Sequence, residues 1–114
     1  LNVDTIADKA GTGPVGLTKQ HAAKGWLHAN GGSTTIDDSF NASSLADTAT
    51  GRPQMNFTNS FANASYSIAA TGKARCQVGP QTISAGSILL RYTDTLDADQ
   101  DRDDNSITVH GDLA

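Results

Sequence analysis

All twelve acidic side chains in this 114-residue chain are aspartate; there is no glutamate. Glutamate is a good helix former, whereas aspartate and asparagine compete for backbone hydrogen bonds through short side chains and settle in turns and caps. Together with glycine, serine, threonine and proline, these two supply 56 of the 114 positions. Such a chain has little material for long helices and much for turns, so strands joined by short turns are expected.

The length suits one domain with one modest core. The large apolar side chains are few, with one Trp, three Phe and two Tyr, and apolar burial contributes only about 25 cal/mol per Å². Cys76 is the single cysteine, so an intrachain disulfide is excluded and association between identical chains is the expected source of further stability. The net charge is −4, and the eight Lys and Arg are scattered singly. No cluster could neutralise several phosphates, so no nucleic-acid partner is expected. The longest aliphatic run, Ile88, Leu89 and Leu90, falls far short of the ~20 residues of a membrane span. Leu1 opens a strand-like alternation without the basic and apolar regions of a signal peptide, so none is expected.

Along the chain, residues 1–7 read as a short extended piece ended by the turn from Ala10 to Pro14. Residues 17–24 hold one or two helical turns, with Thr18 as N-cap and Gly25 as the stop. Residues 26–29 form a strand leading into the Asn30, Gly31, Gly32 turn, and 34–40 form the return arm. A polar loop follows Leu45 and runs to Pro53, before a strand at 54–58 whose Met55 and Phe57 face the core. Residues 59–65 form a turn. Further strands are expected at 65–72, 74–78, 81–85, 87–93 and 106–110. Eight to ten short strands at spacings of ~8–12 residues predict an all-β domain, an antiparallel β-sandwich or jelly-roll-like arrangement with a short helical segment. Residues 1–17 would be an extended docking or oligomerisation segment, and 18–114 the β-domain.

Several motifs invite chemistry. Gly11, Thr12, Gly13, Pro14, Val15 and Gly16 match G-x-G-x-x-G, but Pro14 stands inside it and no long helix follows, so it reads as a turn. Asp97, Asp99, Asp101 and Asp103 alternate as calcium ligands can. The sixth position of that loop is Arg102 and the twelfth Thr108, so it is no EF-hand. A looser calcium site is weighed against a solvated loop, and the loop is preferred. His21, His28 and His110 lack ligand spacing. Serine, histidine and aspartate are abundant, but no G-x-S-x-G elbow frames a nucleophile, and too few aromatics accompany the carboxylates for a glycosidase cleft. No enzyme activity and no cofactor are expected. Trp26 is expected in the core, while Tyr92 has both a core and a binding reading. The sequons at Asn41, Asn56 and Asn63 are what so Ser/Thr-rich a chain yields by composition.

Four blocks occur in order: Lys24, Gly25, Trp26 and on to Asn30, Gly31; Asp38, Ser39, Phe40, Asn41, Ala42, Ser43, Ser44, Leu45; Asn56, Phe57, Thr58, Asn59 and on to Asn63, Ala64, Ser65, Tyr66, Ser67; and Val109, His110, Gly111, Asp112. This order resembles a small domain recurring in fibre-like and decorating virion proteins of tailed bacteriophages, marine ones in particular, and spans roughly Gln20 to Asp112. His28 and His110 depart from the pattern at strand positions. The resemblance implies a homotrimer on the virion surface, assembled in the bacterial cytoplasm. Its expected function is that of a non-enzymatic capsid-decorating or head-fibre protein. Leu1, Val3, Thr5, Ile6, Val15 and Leu17 would then form the trimer interface or dock on the major capsid protein or another virion protein. One alternative is the receptor-binding tip of a tail fibre, which would meet host glycans through Asn30, Asn59, Asp99 and Asp101. Another is a free carbohydrate-binding module.

Overall fold

A computed structural model describes residues 22–30 and 34–114, and over these the chain is all β. Eight strands follow one another: β1 (Gly25–Asn30), β2 (Thr35–Phe40), β3 (Ala42–Asp47), β4 (Pro53–Phe57), β5 (Ser67–Thr71), β6 (Gln77–Ile83), β7 (Ser87–Thr93) and β8 (Asn105–His110). They pair antiparallel into two four-stranded sheets. Sheet A has the order β2-β1-β8-β5 and sheet B the order β3-β4-β7-β6. The sheets pack face to face as a sandwich over one core.

Strand alternation explains that core. Leu27 and Ala29 of β1, Met55 and Phe57 of β4, Ile88, Leu90 and Tyr92 of β7, and Ile107 and Val109 of β8 all point inward and are buried. These are the two middle strands of each sheet, while the edge strands contribute half-buried residues such as Ile36, Leu45, Ile68 and Val78. Phe61, from the β4–β5 connection, completes the core. Its ring lies 4.8 Å from Phe57 and 4.6 Å from Tyr66, so three aromatics plug one end of the sandwich. Gly111 permits this closure, since a Cβ there would come within 2.5 Å of the Tyr66 Cβ.

The sheet switch between β2 and β3 takes a single residue. Asn41 stands between them with φ 58°, a left-handed conformation that asparagine tolerates better than most residues. Its carboxamide donates to the carbonyls of Lys24 and Asn59 and accepts from the Asn59 N–H. One side chain therefore fastens the entry to β1 and the exit of β4 to the corner.

The sandwich agrees with expectation, and Met55 and Phe57 face inward as the alternation predicts. Other details differ. Residues 22–24 are not helical, and Gly25 begins β1 opposite Val109 where a helix stop was expected. The rest of the predicted helix lies outside the described residues, as does the whole of residues 1–17. Ala46 and Asp47, assigned to a polar loop by their composition, complete β3 and pair with Gln54 and Pro53. Residues 77–83 form one strand where a break was expected at Gly79 and Pro80. Its irregularity between Pro80 and Thr82 is tolerated because β6 is an edge strand, where proline's missing N–H breaks no ladder.

Candidate binding surface

The outer face of sheet A carries the most distinctive group of exposed side chains. Trp26 pairs across the hairpin with Phe40, and on its other side with Thr108, which in turn faces Ala69. Directly opposite residues in antiparallel strands share a face, so Phe40, Trp26, Thr108 and Ala69 form one row. Trp26 is 36% exposed and Phe40 54%. The expectation that Trp26 fills the core is thus corrected. Leu27 and Ala29 hold the inward positions of β1, and the period of two leaves Trp26 outside.

The next row contains Asp38, His28, Ser106 and Thr71. The His28 ring lies between two carboxylates, with Nδ1 3.0 Å from Asp37 and Nε2 3.5 Å from Asp104. Asp104 also lies 3.9 Å from the Lys73 ammonium. A register irregularity beside His28 brings Asp37 within reach.

The Asp-rich segment between β7 and β8 is a folded loop. Asp99 accepts from Arg91 Nε at 2.7 Å and from Arg52 Nε at 3.1 Å. The Arg91 hydrogen bond is the main reason that the Asp99 carboxyl sits below the usual carboxylate range; partial burial opposes it, and Arg52 adds to it. Asp101 accepts the Gly51 N–H at 2.7 Å, and Asp97 lies 3.4 Å from Arg91. Asp94 accepts the N–H groups of Ala98 and Leu96, which hold its carboxyl low. The backbone carbonyl of Asp103 accepts the Lys73 N–H. Among the described residues no three His, Cys or Asp groups are arranged to hold a metal ion. The carboxylates of Asp97, Asp99 and Asp101 meet arginines and a backbone donor rather than one centre.

Of the loop residues expected to face a receptor, Asn30 closes β1 beside the pairing of Ala29 with Asn105. Asn59 lies at the opposite end of the sandwich, bonded to Asn41. The two do not converge. Asp99 and Asp101 tie the loop to the β3–β4 turn. Leu1, Val3, Thr5, Ile6, Val15 and Leu17 lie outside the described residues, and so does His21. His110 is exposed at the end of β8. Tyr92 is a core residue whose hydroxyl donates to the Thr71 carbonyl, and burial raises its pKa. Tyr66 donates to the Ser84 and Ser87 carbonyls of the β6–β7 turn, and burial pushes its phenol up to about 12.

Phe40 is the surface residue that sequence reasoning missed. Counted in twos from the inward-pointing Ile36, Phe40 would face the core as well, and the irregularity between them turns it to the outside. Comparison with family models, curated proteins and solved structures finds no match to this chain.

Proposed function

We propose that this chain is a non-enzymatic structural module of a tailed-bacteriophage virion, a small capsid-decorating or head-fibre protein whose β-sandwich is displayed on the particle. The observation that carries this reading is that part of each of the four resembling blocks meets the others at one end of the sandwich. Lys24 donates its N–H to Val109 and accepts from Asn41; Asn41 bonds Asn59; and Ala62 donates to Asp112. Blocks spread over most of the chain thus form one hydrogen-bonded knot, which supports reading them as the signature of a single domain type.

In this reading residues 1–17 form the trimer interface or dock on the shell, through Leu1, Val3, Thr5, Ile6, Val15 and Leu17. A clamp that binds only the assembled shell stabilises that shell by mass action. Two experiments test it. Tagged chain imaged on intact particles by electron microscopy should give density over the head. Light scattering should give three times the 11.8 kDa of one chain. A monomer at particle-relevant concentration would remove the trimer, and density on neither head nor tail would remove the virion assignment.

The exposed Trp26 and Phe40 pair favours a second reading, the receptor-binding tip of a tail fibre. Density confined to the tail tip would decide for it.

A further inference from the structure

Four of the six aromatic side chains, Phe57, Phe61, Tyr66 and Tyr92, pack in or against the core. The other two, Trp26 and Phe40, stand side by side on the outside of sheet A. In a chain so short of large apolar groups, this placement leaves core-forming area unused. A cross-strand aromatic pair stabilises a hairpin by only ~0.2–1 kcal/mol, less than the roughly 1.5–3 kcal/mol that burying one large side chain contributes.

The surroundings give the pair a shape. Beyond Trp26 the outer face of sheet A continues through Thr108 and Ala69 in its own row, Ser106 and Thr71 past His28 in the next, and Ser67 opposite the exposed His110. Two rings therefore rise beside a floor of short, hydroxyl-bearing side chains, forming a shelf with an apolar wall and a polar base. We propose that this shelf binds a neutral glycan, one sugar ring stacking its C–H face on Trp26 and Phe40 while its hydroxyls meet Thr108, Ser106 and Asp38.

Charge selects the occupant. Asp37, Asp38 and Asp104 lie along the His28 side of the shelf, and Lys73 lies 3.9 Å from Asp104. An anionic sugar, a phosphate or an acidic lipid surface would meet more carboxylates than lysines along that side. Size argues against a second copy of the chain. A stable protein interface covers about 800 Å² per partner, whereas a Trp and a Phe offer ~150–250 Å² each when wholly buried, and here both are partly covered. Two rings match one or two sugar residues.

The proposal gives the receptor-tip reading a ligand class but rests on the sheet geometry alone, so it and the particle-labelling experiment can fail separately. Trp26 is the only tryptophan, so its emission reports on the shelf directly. The full 114-residue chain is titrated with neutral hexasaccharides of glucose, mannose, galactose and N-acetylglucosamine. A saturable change in emission with at least one of them is expected. Affinity should fall by about tenfold or more in Phe40→Thr, which removes one stacking face, and remain unchanged in Leu96→Ser at the remote loop tip. If Phe40→Thr melts early, Thr108→Arg tests the same point by filling the floor and leaving both rings in place. Emission indifferent to every sugar overturns the proposal, as does binding that survives both shelf variants. Emission that follows protein concentration without sugar overturns it in favour of self-association.

Discussion

Asp99 joins two arginines from different parts of the chain, Arg52 from the turn before β4 and Arg91 from β7. Its folded pKa lies below the unfolded value. The stabilisation is therefore complete above the unfolded pKa of about 4 and is lost as pH falls through the folded value. In Asp99→Asn the melting temperature should be lower than that of the parent at neutral pH, with the gap closing below about pH 4. Melts across an acid series check this, and a constant gap would show that the arginine contacts do not depend on the carboxylate charge. Gly51 is the second fixed point of this corner. It stands at φ +69°, and a Cβ would fall 2.5 Å from the Tyr92 carbonyl oxygen and 2.7 Å from the Gln100 nitrogen. Left-handed backbone in a non-glycine residue costs roughly 1–3 kcal/mol before any clash. Gly51→Ala should therefore lower the melting temperature by about 10 °C or more. An unchanged melt would mean that the β3–β4 turn can move away from the loop. The sequence marks both residues only weakly: Asp99 looks like one of a run of soluble aspartates, and its arginine partners lie 47 and 8 positions away.

Strand existence was legible because the period of two is strong where one face is buried, as in β7, whose residues alternate between buried and half-buried positions. The edge strands were harder to read. In β3 (Ala42–Asp47) both faces are largely polar and the apolar residues are only half-buried, so nothing in its composition separates it from a loop. Hydrogen bonding to β4 across the hairpin makes it a strand. The sheet switch before it depends on Asn41, which combines a positive φ with three side-chain hydrogen bonds. The two contributions can be separated. Asn41→Gly keeps the backbone freedom and loses the bonds, at ~0.5–1.5 kcal/mol each, whereas Asn41→Ala also incurs the left-handed strain of ~1 kcal/mol. Urea unfolding should rank the parent above Asn41→Gly and that above Asn41→Ala. Equal stability of the two variants would show that the corner relaxes out of the left-handed region.

At the scale of the whole molecule, the ten buried hydrophobic side chains among the described residues fall between Leu27 and Val109, and both four-stranded sheets lie within residues 25–110. The proposed division of labour, an attaching segment and a displayed sandwich, thus has a direct consequence. A chain lacking residues 1–17 should unfold in one cooperative transition, with a denaturant slope close to that of the full chain, because that slope follows the surface exposed on unfolding. Its attachment to particles should be lost. The two readouts separate the two roles. A melting temperature that falls together with attachment would make the segment part of the folded unit, through association of chains or through contacts with the sandwich. Retained attachment would move the docking surface onto the sandwich itself, where the aromatic shelf of sheet A is the first place to look. Phe40→Thr in the shortened chain would then distinguish docking through the shelf from docking elsewhere, since the substitution removes an exposed ring and leaves the ten core residues untouched.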